Sequence, residues 1–294
     1  MKFRGHETFF IRKGWLTKGL KNIIKNPSVF MGTDGNPMDI LGIGSNMVKS
    51  LRYWLAATGL SQEIVKQKKT HSLTDLGEII WKNDPYLQED GSLYIIHYKL
   101  VSNKELATTW YYFFNEFTNA EFTKEDLFES LKNYTIQNGL TVSDRLLEDD
   151  CNCLLNMYLS KNKISSEKNH PENNIISPFR DLEIIKITDE KEKVFRKNNL
   201  NSEKIHPLII LAVIVEQYKN KKEIKISSLL EDTNSIGKIF NLDILSLLKI
   251  LSNLEKLGYI KVIRTAGLDV IKIEKEINFI DCLNKYYEAI KERE

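Results

Sequence analysis

The stretch NPMDILGIGSNMVKSLRYWLAATG, from Asn36 to Gly59, limits what the chain around it can fold into more than any other. Asn36 and Pro37 read as the N-cap and first helical residue of a short helix over PMDIL. Proline suits that position because its fixed φ is already helical and the N–H it lacks would have had no partner there. Gly42 and Gly44, in GIG, supply the freedom a sharp turn requires. A further helix follows at once, with Ser45 as the expected N-cap and Met47, Val48, Leu51, Leu55 and Thr58 as a single apolar stripe ended by Gly59. Short helix, glycine turn and amphipathic helix together make the helix-turn-helix pattern. A turn between two core helices is the competing reading. On the polar side, Asn46, Lys49, Ser50 and Tyr53 recur at helical spacing, with Arg52 on the flank. Asn, Lys, Ser and Arg are side chains that hydrogen-bond base edges or phosphates.

The flanks extend the pattern. Trp15, Leu16, Leu20, Ile23 and Ile24 predict a preceding helix that NPSVF breaks after about Lys25. After the turn motif, LSQEIVKQKKTHSLT alternates in hydropathy and holds Lys66, Lys68 and Lys69, as expected of a small β-hairpin wing. Charge follows the same boundary: the formal total is +2, yet residues 1–70 hold twelve Lys or Arg against four acids, while residues 115–150 hold nine acids and three bases. Such asymmetry is the electrostatic mark of a phosphate-facing module on a larger body, although a merely solvated basic face gives the same count.

Beyond the hairpin, Thr74 is expected to cap a short helix over TDLGEIIWK, and SLYIIHYKLV (92–101) fits a strand or a helix equally well. ELATTWYYFFNEF, TKEDLFESLKNYTIQ with Thr123 as N-cap, and VSDRLLEDDCNCLLNMYLS all read as helices. A linker or long loop is expected over KNKISSEKNHPENNIISP (Lys161 to Pro178), and a short strand over FRDLEIIKIT. From Ile205 the predicted order is helix, strand, helix, long helix ending at Gly258, then two alternating runs joined by AGL, which is the winged-helix order. Its long helix exposes mixed charge, so this module suits a protein partner as well as DNA. The expected fold is mainly α with small β-hairpins, an α+β chain with helix-turn-helix or winged-helix modules at both ends of a helical body. The expected domains are residues 1–102, 103–200 and 201–294.

Several classes are excluded by what such chemistry requires. No phosphate-binding glycine loop is present, and the five histidines show no pair at metal-ligand spacing. Three cysteines, two of them in CNC (Cys151, Cys153), make neither a disulfide framework nor a zinc pair. The longest apolar run, Leu208 to Val215, is far short of the roughly 20 residues a membrane helix needs. No apolar leader is visible, so a cytoplasmic protein without a membrane partner is expected. Among acids, EDD (Glu148 to Asp150) and Glu231 with Asp232 read as solvated helix faces rather than metal ligands. His6 and Glu7, in basic company, are the candidate catalytic residues: a histidine there would activate water or protonate a leaving alcohol. Helix capping or phosphate contact is the role these residues favour for His6. No cofactor is evident, and Mg²⁺ or Mn²⁺ is expected only if the protein nicks DNA.

The motifs GHETFFIRKGWLTKG and LGIGSNMVKSLRYWL resemble those of a bacterial family, catalogued as a domain of unknown function, that includes the DNA-binding and nicking component of Ssp-type DNA phosphorothioation systems. The resemblance is strongest over residues 3–60, with weaker echoes at THSLTDLGEII, SPFRDLEII and IRTAGLDVI. It implies a phage-defence protein that engages double-stranded DNA, with a sulfur-transfer enzyme, an ATPase or a cysteine desulfurase as partners; a homodimer is one assembly open to the chain, independent of the resemblance. It supplies no catalytic assignment. On the residues alone, phosphates would be held by Arg4, Arg12, Lys18, Lys49 and Arg52, with Lys68 and Lys69 on the wing. Asn46 and Ser50 would read bases, beside Thr8 and Ser45. A stand-alone transcriptional regulator and a protein-binding adaptor are the competing functions.

Overall fold

Trp15, Leu16, Leu20 and Ile23 are all buried along one side of the first helix, α1 (Trp15–Lys25), whose limits are those the apolar spacing predicts. The computed structural model describes residues 1–159, 176–265 and 268–292. The short helix α2 (Pro37–Leu41) starts as expected: the Asn36 side chain accepts the Met38 N–H at 3.0 Å. It ends at Gly42, whose φ of 60° is left-handed and suits glycine. Helix α3 (Ser45–Ala57) is capped by Gly44, not Ser45, and no side chain closes its first turn. Strands β1 (Ser61–Val65) and β2 (Lys69–Leu73) form the antiparallel hairpin, with Glu63 opposite His71.

The helical body follows. The Thr74 hydroxyl accepts the Gly77 N–H and starts α4 (Asp75–Asn83). Residues 92–101, left open between strand and helix, lie in α5 (Asp90–Val101), where every residue from Gly91 to Val101 is buried except Lys99. A helix covered on all sides shows no apolar period, which explains why its type could not be read. Next come α6 (Thr108–Asn115), β3 (Glu121–Phe122), α7 (Lys124–Gln137) with a Thr123–Asp126 capping box, and α8 (Asp144–Tyr158). The linker expected over Lys161–Pro178 lies, through residue 175, outside the described residues. A 3₁₀ turn (Pro178–Leu182) stands where the start of a strand was expected, because Ser177 and Pro178 cap and open it. Strands β4 (Ile185–Asp189) and β5 (Val194–Lys197) then join β3 in a three-stranded antiparallel sheet of order β3-β5-β4. These elements make up one compact unit, Met1–Lys197.

The second unit, Asn198–Glu294, is built around α9 (Pro207–Gln217), in which Ile209 to Ile214 are fully buried. Each of its Ile, Leu and Val side chains contributes roughly 1.5–3 kcal/mol on burial. Around it run β6 (Glu223–Lys225), α10 (Ile226–Glu231), α11 (Ile236–Ile239), α12 (Ile244–Lys256), β7 (Ile260–Thr265) and β8 (Leu268–Ile273). The sheet is antiparallel, of order β6-β8-β7. Ala266 and Gly267 of the expected AGL turn lie outside the described residues. A last helix, α13 (Phe279–Lys291), packs on α9 and was not anticipated. The chain is thus α+β, helical with small antiparallel sheets. Among the described residues no helix is long and apolar enough to cross a membrane.

Candidate nucleic-acid interface

Helix α3 turns a narrower strip outward than its sequence suggests. Ser45, Asn46 and Lys49 are exposed, Arg52 and Ala56 are half-buried, and together they run along one edge of the helix. Lys49 reaches back to Asn46, its Nζ 3.4 Å from Oδ1. Ser50 and Tyr53, expected on that face, are buried. The outward face is rotated by about one residue because the N-terminal segment lies across the other side. The Ser50 hydroxyl and the Trp54 indole N–H both donate to the Phe9 carbonyl, and the Tyr53 hydroxyl donates to the Leu106 carbonyl. Gly5 makes this approach feasible: a Cβ there would come within 2.4 Å of the Tyr53 ring. Ser50 is therefore corrected from a base contact to a buried brace.

The segment itself is bent and then locked. Arg4, Glu7 and Thr8 have φ of 54°, 49° and 69°, each a left-handed conformation costing on the order of 1–3 kcal/mol for a non-glycine residue. His6 supplies the lock. Its side chain is fully buried, stacked on Trp54 at 5.8 Å with Trp110 edge-on at 5.6 Å. The Thr8 N–H points at Nδ1 (3.0 Å), so Nδ1 accepts, and Nε2 donates to Asp150 Oδ1 at 2.7 Å. Asp150 is 1% exposed and also accepts the Arg4 N–H at 2.7 Å and the Thr109 hydroxyl at 2.6 Å. A buried carboxylate with these donors is satisfied. Neither ring nitrogen of His6 is open to a substrate, so the catalytic reading of His6 is corrected to an anchor. Glu7 sits at the surface of the same bend, half-buried.

Other expected contacts are occupied within the protein. Arg4 pairs with Asp149 (2.7 Å), and Lys18 Nζ donates to the Leu41 carbonyl (2.9 Å) at the C-terminal end of α2, where a cation meets the negative helix end. The Arg12 guanidinium lies against the Phe9 and Trp15 rings, 5.3 and 5.0 Å from their centroids. Thr8 and Lys68 are exposed, Lys68 between the two strands of the hairpin. Arg52 and Lys69 converge on Glu63: Arg52 Nε lies 2.7 Å and a second Arg52 nitrogen still closer to Oε1, while Lys69 Nζ lies 2.5 Å from Oε2. Burial alone would raise the Glu63 pKa, but hydrogen bonds and charge from Lys69 and Arg52 outweigh it and bring it down to about 2.

The family described as "Protein of unknown function (DUF4007)" matches residues 3–287. The chain belongs to the DUF4007 family. Among curated proteins, none matches the sequence. Two solved structures are similar: a magnesium ion-bound crystal structure of SspB and a second SspB crystal structure. Each has a TM-score of 0.81 at 21% identity, over 99% of this chain and 87% of the other. At that identity the likeness establishes a shared fold.

GHETFF and GSNM meet on one site, since the first packs beneath the helix that the second begins. Two partners escaped the sequence reading. Asp150, placed there in a solvated acidic run, is inward; the signal was its position in the apolar period Leu147, Asp150, Cys151, Leu154 on α8. Glu63 had no comparable signal beyond its cross-strand place. Magnesium does not fit what these residues form: Asp150 is held by His6, Thr109 and the Arg4 N–H, Asp149 faces Arg4, and no group of three metal-ligand residues gathers among the described residues. The thiols of Cys151, Cys153 and Cys282 are buried, and burial raises their pKa, so they stay protonated and unreactive.

Proposed function

We propose that this protein is the DNA-binding component of a bacterial DNA phosphorothioation and phage-defence system, and that α2, the Gly42–Gly44 turn and α3 act as its helix-turn-helix. One observation carries the reading: the exposed Ser45, Asn46 and Lys49, with the half-buried Arg52 in line, lie on a helix whose first turn no side chain closes, beside a hairpin bearing Lys66, Lys68 and Lys69. Such a strip can offer amide and cationic donors to a duplex, and the open helix N-terminus favours phosphate. The fold shared with SspB and the motif resemblance to the Ssp-type component support the pathway. With that assignment come double-stranded DNA and the sulfur-transfer enzyme, ATPase or cysteine desulfurase as partners, and a winged-helix role for the hairpins.

The test is a salt series of fluorescence anisotropy with labelled duplex. If about five phosphates are held, affinity should fall roughly 10²–10³-fold between about 50 and 200 mM salt. Charge reversal of Lys49 and Arg52 to Glu should abolish binding, and affinity indifferent to salt and to both changes rejects the reading. Nicking belongs to the proposal through the Ssp likeness alone. Conversion of supercoiled plasmid to open circle with Mg²⁺ or Mn²⁺ would establish it, whereas bound but intact plasmid would indicate a regulator.

For the second unit, a specific feature favours protein contact. The outward face of α12 opens on Ile244 and Leu245, 45% and 76% exposed, where a DNA-reading helix would present polar donors. This supports an adaptor role for residues 198–294 alongside DNA binding by the first unit.

A further inference from the structure

Arg52 stands on α3 and Lys69 on β2, yet both point at one carboxylate. Each oxygen of Glu63 takes one cation: Oε1 faces the two Arg52 nitrogens and Oε2 faces Lys69 Nζ. Behind Oε1, at 3.5 Å, lies Nε2 of His71, whose side chain is 2% exposed and edge-on to Phe30 at 5.2 Å. Burial first, then the nearby Arg52 charge, lowers the His71 pKa, so this ring is a neutral backing and adds no third cation. The group is accessible: Glu63 and Arg52 are each 33% exposed and Lys69 39%.

That arrangement has the requirements of a seat for one phosphodiester. Two anionic oxygens on one centre are met by an arginine fork from the helix and an ammonium from the wing, which is how proteins hold a backbone phosphate between two elements. The interaction also has a cost for DNA. A duplex that uses Arg52 and Lys69 must take them from Glu63 and then lie beside the carboxylate left behind, which repels phosphate. We infer that Glu63 occupies, in the free protein, the place of a DNA backbone phosphodiester, and that duplex binding transfers Arg52 and Lys69 from its carboxylate to that phosphate. Glu63 thereby restrains affinity for any polyanion that makes no other contacts. The inference rests on the DNA-binding reading above.

Replacing Glu63 by Gln removes the competing charge and keeps the side chain's size. In duplex anisotropy at fixed salt, Glu63→Gln should bind on the order of tenfold tighter than the wild type. In an Arg52→Gln/Lys69→Gln background the same replacement should tighten binding clearly less, since the competition for the two cations is gone and only the carboxylate's repulsion of phosphate remains. Circular dichroism melting checks that each variant is folded. Should Glu63→Gln unfold, Glu63→Asp takes its place: its shorter reach loses one of the two cations, and a smaller tightening is expected. Wild-type binding with no tightening, or with weaker binding, in Glu63→Gln overturns the inference and leaves the DNA-binding reading standing. Tightening that persists undiminished in the double background also overturns it, because net charge alone would then explain the gain. Absence of binding by wild type and variant alike removes both.

Discussion

His6 acts through what it holds rather than what it attacks. Its two ring nitrogens are engaged by Asp150 and the Thr8 N–H, and its faces by Trp54 and Trp110. Removing it would leave a buried carboxylate short of one donor beside a cavity. His6→Ala is therefore expected to lower stability by about 2–5 kcal/mol in urea unfolding, from the lost hydrogen bond and the cavity left behind. Combination with Asp150→Asn should cost less than the sum of the two single changes. An unchanged midpoint for His6→Ala would show that the anchor is not formed. Glu63 is the other residue whose environment sets its behaviour. Its pKa is lowered from 4.5 in the unfolded range to about 2 when folded, so the ionised form stabilises the fold. That contribution is fully present above about pH 4.5 and is lost as the pH falls through about 2. Urea midpoints of wild type and Glu63→Gln should accordingly differ at pH 6 and converge near pH 2.

On the DNA-binding reading proposed above, helix α3 divides its residues between support and contact, and mutational effects should divide the same way. Asn46→Ala and Lys49→Ala are expected to weaken duplex binding, the latter also lowering the salt slope by about 0.9. Ser50→Ala should leave DNA affinity unchanged, because Ser50 faces Phe9; loss of binding there would restore the unrotated face. The difference shows what was legible in the sequence. Local signals placed α1, α2, the hairpin and the Thr123 cap of α7, since proline, glycine and capping residues act over a few positions. The facing of α3 was not local: Ser50 and Tyr53 are polar enough to read as outward, and only the chain laid over them turns them inward. Helix α5 lacked a period because it is enclosed, and β3 is too short to announce itself, being two residues long and defined by its pairing with β5. Asp150 was visible as an acid within an apolar stripe, but its partner lay 144 positions away.

Each of the two compact units has its own buried core, one around α5, α6 and α8 and the other around α9. Residues 1–197 and 198–294 should therefore fold when produced separately. The first fragment is expected to retain salt-dependent duplex binding and the second to show none; DNA binding confined to residues 198–294 would reverse the assignment of the units. The His6–Asp150 anchor also has a consequence for biosynthesis. Residues 4–6 leave the ribosome long before the aspartate that secures them, and at about 5–20 residues per second the interval is roughly 7–30 s. Throughout that wait the His6 ring has Trp54 and then Trp110 to pack on, but lacks the carboxylate that receives its Nε2 proton and the Arg4 N–H. The left-handed bend at residues 4–8 is thus fully anchored only once translation has passed Asp150 of α8, which ties its final geometry to near-complete synthesis of the first unit.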